Sequence, residues 1–487
     1  MKKMISILLL SFLFFPLLAQ SSDDSDDLMD IDGLFENDEM VNERAEDAVD
    51  ANLDTVLLTS EQAVIGGSFH FKTNSSWYPL ENDDFFNPES VYFNYSAALR
   101  LFLDARPNED FRVFVKSDIT YPFTYLENGN INLNTALKLK EIFVDFDWDN
   151  KVFFRVGKQT AKWGVGYYYS PADVLSLSPI NIFEPEAERE GPVSLKAHVP
   201  IGLNNAYLFL IADEISKPQD IAIAPKFEFI IDSTEIGFSG YYQAEKSPKL
   251  IATATAPLFQ TNVFAEAVLS YGSDKTFIIK DDSVPFFEVS TETREEDFFF
   301  NGTIGLLATD SDDETGFNYT GYLQFFYNGE GYDDPKLALD AIQKMQEINK
   351  SNPIEGIGLL NLDYMRDLIF IGKYYLTGSL STRDLYKSGI GITLMGSINF
   401  SDMSLDFRPS VSYEFNNNFT LTASCPMTFG EKYHELSING NTFEPGLGVN
   451  LFGNTEIKYS VPIVLDSDNT IDTFSFKIET TFGATDF

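Results

Sequence analysis

From residue 63 onward the chain repeatedly alternates apolar and polar side chains, and this period of two constrains the fold more than any other feature. Alternation marks a strand with two unlike faces. In the stretch 90–104, Val91, Phe93, Tyr95, Ala97, Leu99, Leu101 and Leu103 share one face. Asn94, Ser96, Arg100 and Asp104 share the other. Phe317–Asn328, Ile390–Phe400, Met403–Phe415 and Phe419–Phe429 repeat the pattern. Cys425, the single cysteine, falls on an apolar face and reads as a small hydrophobe.

A soluble β-sandwich also alternates. Three features favour a barrel that crosses a membrane. The strands exceed the roughly five or six residues usual in soluble sheets. They suit a tilted membrane-crossing strand of roughly 9–11 residues plus overhang. Aromatics cluster near strand ends, as at Tyr121, Phe123 and Tyr125, at Tyr241 and Tyr242, at Phe298–Phe300 and at Phe325–Tyr327. Girdles at two membrane interfaces produce such clusters. Finally, short links (Arg106–Glu109, Asp149-Asn150, Ile201–Leu203, Asp232-Ser233) alternate with long ones.

The pattern places strands near 63–72, 90–105, 110–122, 135–148, 151–160, 192–200, 204–213, 220–231, 234–244 and 249–256. Others fall near 259–271, 298–309, 315–328, 367–378, 388–400, 403–415, 419–429, 445–452, 455–463 and 471–482. The expected fold is all-β: a transmembrane antiparallel up-and-down β-barrel of 16–20 strands, with 20 the best parse. An even number brings both ends of the barrel to the periplasmic side. Phe474–Phe482 alternates like a closing strand, and Phe487 is out of phase with it. A bulge near Gly483, or an end at Phe482, would reconcile the two.

The chain before the barrel has two zones. Met1–Gln20 has a basic start, an apolar run and a small-residue end at Ala19, so it reads as a secretory signal peptide. Residues 21–56 are expected to form an acidic, disordered periplasmic segment, and 57–487 the outer-membrane barrel. Between Ser21 and Thr55 the net charge is −13, with too few apolar residues for a core. The whole chain carries −40, which argues against a nucleic-acid partner. The predicted wall faces are close to neutral, so the excess belongs to loops and tail. It does not make a pore cation-selective.

The stretch Leu139–Asp173 contains Arg155-Val156-Gly157-Lys158-Gln159, then Trp163-Gly164 and Pro171-Ala172-Asp173. It resembles a signature of porin-like barrels near the alginate-export-like and related uncharacterised outer-membrane families. Asn328-Gly329-Glu330-Gly331-Tyr332 after a strand is also similar to such barrels. The resemblance implies a class and no particular solute. Gly157 would relieve a crowded wall position. Trp163 would anchor a bend through Gly164. The loop 164–191 is the third long one, and in many porins this loop folds inward and narrows the pore. Asp173, Glu184, Glu186, Glu188 and Glu190 would then form its acidic edge. They would face a basic wall of Arg100, Arg112, Lys116, Lys138, Lys140, Arg155 and Lys196. An acidic loop opposite a basic wall sets a field across a constriction. Otherwise these bases are paired wall residues and the loop is a surface flap.

Asp334 and Pro335 look like the start of a helix over 335–349, which would pack the long 329–366 loop or fold over the mouth. A catalytic reading is the rival. The three histidines, His70, His198 and His434, are scattered, and no hydrolase motif is present. Expected partners are outer-membrane lipid, the barrel-assembly machinery and a small hydrophilic solute. A homotrimer stays open, because lipid and subunit contacts are both apolar. No catalytic residue, cofactor or metal is expected. The expected function is a channel for passive diffusion. A non-conducting structural or adhesin barrel is the alternative, and an outer-membrane hydrolase ranks below it.

Overall fold

The computed structural model describes residues 63–77, 91–108, 110–123, 131–132, 136–213, 215–280, 289–312, 314–340, 370–416, 419–452, 454–465 and 471–484. The expected signal peptide, the acidic segment, Tyr125, Phe487 and the helix beyond residue 340 lie outside these residues. At 336–340 a helical turn begins as expected, with the Lys336 N–H donating to Asp334 Oδ1 at 3.0 Å.

Twenty antiparallel strands form one closed barrel. The first eleven are β1 (Ala63–Trp77), β2 (Val91–Asn108), β3 (Phe111–Tyr121), β4 (Leu137–Trp148), β5 (Val152–Lys158), β6 (Val193–Ile201), β7 (Asn204–Ile211), β8 (Ala222–Ile231), β9 (Thr234–Tyr241), β10 (Lys249–Leu258) and β11 (Thr261–Tyr271). Five more are β12 (Phe298–Asp312), β13 (Phe317–Asn328), β14 (Tyr374–Thr382), β15 (Ile390–Asn399) and β16 (Ser404–Asn416). The last four are each briefly interrupted: β17 (Phe419–Ser424, Met427–Phe429), β18 (Thr442–Phe443, Gly446–Leu451), β19 (Thr455–Ser460, Ile463–Leu465) and β20 (Ile471–Phe474, Phe476–Ala484). Each pairs with its sequence neighbour, and β20 pairs with β1 from Phe69–Ala484 to Trp77–Phe476. That ladder keeps one register through Gly483, so no bulge forms there.

Turn chemistry sets the short links. Asp149 and Asn150 both take positive φ, at 57° and 50°, as a two-residue hairpin between right-twisted strands requires. On the other side, the links from β11 and β17 each carry a small hairpin of their own: Thr276–Lys280 with Val289–Thr293, and Lys432–His434 with Ser437–Asn439.

The barrel is apolar outside and largely polar inside. Leu250, Phe238, Ile304 and Phe482 point outward and are exposed. At the short-turn rim Trp148 is 71% exposed, Phe452 71% and Phe259 98%. So much exposed aromatic surface is unfavourable in water and suits lipid interfaces. Partners directly opposite in a ladder share a face. From Arg100–Asp118 through Arg112–Asp145 and Arg155–Lys196, the inward face is charged. A register shift where Lys116 and Ser117 oppose Glu141 and Leu139 changes the phase of β4. It lets Lys138 share the inward side with Asp145, although simple alternation would separate them.

One expected strand is displaced. The 367–378 pattern becomes β14 at Tyr374–Thr382, because Phe370 and Ile371 pack into loop clusters ahead of the wall.

Candidate functional site

The link between β5 and β6, residues 159–192, enters the barrel. Lys158 and Gln159 close its stem. Lys158 pairs with Glu190 across the stem. Gln159, 1% exposed, donates from Nε2 to Ser194 Oγ at 2.9 Å. The Gln159 N–H reaches the Pro192 carbonyl at 3.2 Å. Behind them Gly157 has φ +135°, and a Cβ there would collide with the Ile142 carbonyl.

The outgoing leg follows the inner wall away from its stem. Trp163 is buried edge-on to Phe209 on β7, with ring centroids 5.6 Å apart. It joins a core with Ala172, Leu175, Ile251 and Val268 between loop and wall. A Cβ on Gly164 would strike Ser170 Oγ and Glu266 Oε1, the two atoms of a bond that ties the loop to β11. Glu266, mid-way along β11, accepts from Gly166 N–H at 2.6 Å, Ala172 N–H at 2.9 Å and Ser170 Oγ at 2.9 Å. Gln324 on β13 accepts from Tyr168 N–H at 2.7 Å. Tyr168 Oη donates to Ser379 on β14 at 2.6 Å, and Tyr169 Oη meets Thr377 Oγ1 at 2.6 Å. Tyr167 stacks on Tyr322 with centroids 4.0 Å apart.

The returning leg crosses back. Phe183 lies under the Arg408 guanidinium of β16, 3.3 Å from its ring centroid. Five residues later Glu188 pairs with Arg100 of β2 at 2.9 Å and Lys116 of β3 at 3.0 Å. The two legs are tied by Asp173, whose fully buried carboxylate pairs with Arg189 and accepts from Trp163 N–H at 3.2 Å.

The predicted acidic edge therefore divides. Glu188 and Glu190 lie on basic wall residues. Glu184 and Glu186 are exposed, with Glu186 accepting from Tyr167 Oη at 2.8 Å. Asp173 is not at the edge. Burial takes it into the loop, where Arg189 balances its charge. The basic wall is paired along its length: Arg100 with Asp118 at 2.7 Å, Arg112 with Asp104 at 3.0 Å, Arg155 with Asp145 at 2.7 Å and Lys116 with Glu141 at 3.6 Å. Lys140 stands 3.9 Å from Asp118. Lys138 is opposite Asp118 in the ladder. Lys196 is buried, its Nζ 5.1 Å from the Tyr207 ring centroid.

Sequence reasoning missed Glu266, Gln324 and the tyrosine run as loop anchors. One signal was available. Tyr207-Leu208-Phe209-Leu210-Ile211 is apolar on both faces, as in a strand covered on both sides.

The histidines are apart. His198 stacks on Tyr207 at 4.5 Å and meets Asn205 Oδ1 at 2.9 Å. His70 opposes Gly483, and His434 is in the hairpin after β17. Among the described residues no three His, Cys, Asp or Glu side chains gather as metal ligands.

No family model matches the chain, and no curated protein does. Solved structures are similar to it over most of their length. OmpF of Salmonella typhi in complex with daunomycin shares 8% identity, covers 88% of this chain and 100% of its own, and has a TM-score of 0.36. A BenF-like porin from Pseudomonas fluorescens Pf-5 shares 8%, covers 87% and 98%, and scores 0.39. OccAB1 of Acinetobacter baumannii shares 10%, covers 86% and 96%, and scores 0.38. At such scores the assignment rests on the chain's own ladder and faces. By these it is a closed antiparallel β-barrel of twenty strands with an apolar outer face.

Proposed function

We propose that the chain is an outer-membrane channel for passive diffusion of small hydrophilic solutes, narrowed inside by residues 159–192. The observation that carries this reading is the mid-wall attachment of that segment. It is hydrogen-bonded to Glu266 on β11 and Gln324 on β13 and ion-paired to Arg100 on β2. A surface flap would not need anchors on the inner faces of strands so far apart around the barrel. Twenty strands enclose a lumen wide enough for water, and a loop layer within it sets the size limit. The paired wall charges favour polar solutes without a strong demand for one sign. The apolar outer belt meets lipid. The same proposal includes export by removal of Met1–Gln20, insertion by the barrel-assembly machinery, and association in threes.

The non-conducting alternative draws on the same layer, since a loop bonded to so much of the wall could fill the lumen. Uptake by liposomes separates the two. Vesicles holding the purified barrel should swell in small sugars and progressively less in larger ones. Equal inertness toward all sizes would defeat the channel reading.

A further inference from the structure

Burial of the inner wall is uneven. Under the loop layer, inward-facing polar residues of wide-lumen strands have lost almost all contact with solvent. Thr253, Glu266, Gln324, Thr377, Ser397 and Asp406, on β10 through β16, are all buried. The ladder carries the inward face on from Ser410–Ser424 to Asn450–Thr420, then Asn450–Glu456 and Glu456–Thr481, to Lys72–Thr481 on β1. Along this second arc burial is less complete. Thr422, Asn450 and Thr481 are only partly buried. Lys72 and Lys458 have side chains 49% and 54% exposed.

We infer that the solute path runs off-axis, down the inner face of β17 through β1, with Lys72, Lys458 and Lys477 as its selectivity residues. This rests on the channel reading above. The Phe183–Glu188 stretch, strung from Arg408 on β16 to Arg100 on β2, is the inner border of the path. On the other border Lys72 pairs with Glu479 at 2.9 Å and Lys458 with Glu456 at 3.0 Å, and Lys477 stands opposite Ser460 and Ser76 in the ladder. These pairs are wet, so their charges remain available to a passing solute. Three members of the predicted basic wall on β2 to β6 do not take this role. Arg112, Arg155 and Lys196 are bound to acids or rings under or beside the loop.

Cysteine accessibility tests the path. In a Cys425→Ser background, Thr422→Cys and Thr481→Cys probe the open arc, and Thr253→Cys and Ser397→Cys the covered one. A charged methanethiosulfonate reagent added to single channels should remove most of the current from the first pair and none from the second. Mass addition on the folded, membrane-inserted barrel reads the same accessibility without current, and variants that fail to fold are recognised by their heat-modifiable mobility. Lys458→Glu should shift the zero-current potential toward cations. Block at Thr253→Cys or Ser397→Cys without block at the open-arc positions would overturn the path, as would block at none of the four. Absence of unit currents in the wild-type barrel would instead remove the channel reading beneath it.

Discussion

Gln324 holds Tyr169 by both of its backbone groups. Its Nε2 donates to the Tyr169 carbonyl at 2.6 Å, and its Oε1 accepts from the Tyr169 N–H at 3.4 Å. The two residues are 155 apart in sequence and both are buried. A wall strand thus carries the loop by a side chain, with no ladder between them.

Replacing Gln324 with Ala leaves buried backbone groups without partners, each costing about 1–3 kcal/mol. The expected result is faster amide exchange across Gly166–Ala172 with the strand ladder unchanged. Unit currents should become larger and noisier. Hydrogen-exchange mass spectrometry on the membrane-inserted protein checks this, and unchanged exchange in the loop would count against the clamp.

Two lumen ion pairs should differ in worth. Arg155 and Asp145 are both 11% exposed, doubly bonded at 2.7 and 3.1 Å, and the guanidinium lies 4.0 Å from the Phe143 ring centroid. Arg155→Ala leaves a buried carboxylate with Arg112 alone, 3.9 Å away, and should cost about 1.5–3 kcal/mol. Lys72→Ala removes a pair that is half in water, and should cost less than about 1 kcal/mol. Urea midpoints of heat-modifiable mobility give both numbers.

Gly157→Ala should reduce folded yield. A side chain there meets strained backbone, worth about 1–3 kcal/mol, and the obstructing Ile142 carbonyl belongs to the β4 ladder and cannot move aside. Yield after refolding into detergent measures it.

The outer mouth should respond to pH through Glu435. Burial pushes this carboxyl up to about 7 from 4.5, although Tyr375 Oη at 2.7 Å and the Gly372 N–H at 3.1 Å donate to it. A folded-state value above the unfolded one means that the fold favours the protonated form. Its contribution is fully present below 4.5 and is lost as pH rises through about 7. Amide protection at 371–373 and 432–439, corrected for intrinsic rates, should be greater at about pH 5 than at about pH 8. Glu435→Gln should flatten the difference, and greater protection in base would contradict the sign.

The strands were legible because membrane and lumen impose opposite demands on alternate residues, and that demand is written locally. The clearest case is Val91–Leu103, which lies in β2 with Arg100 of its polar face paired to Asp118 across the ladder. The loop stem was partly legible too, since Gly157, Lys158, Gln159 and Gly164 each prove to have a steric or bonding role. What alternation cannot encode is contact between distant segments. Nothing near Gln324 or Glu266 announces a loop some 100 to 155 residues away. For the same reason Asp173 read as an exposed acid, while its partner Arg189 takes it inside. The 367–378 strand was displaced because apolar residues packed in loop cores, Phe370 and Ile371, look the same as ones facing lipid.

Unit conductance in a planar bilayer tests the central claim most directly, with the wild-type barrel beside a variant in which residues 165–190 are replaced by a short glycine-serine link. The account predicts stable unit currents from the wild type and larger ones from the variant. No unit current from the wild type, or equal currents from both, would contradict it.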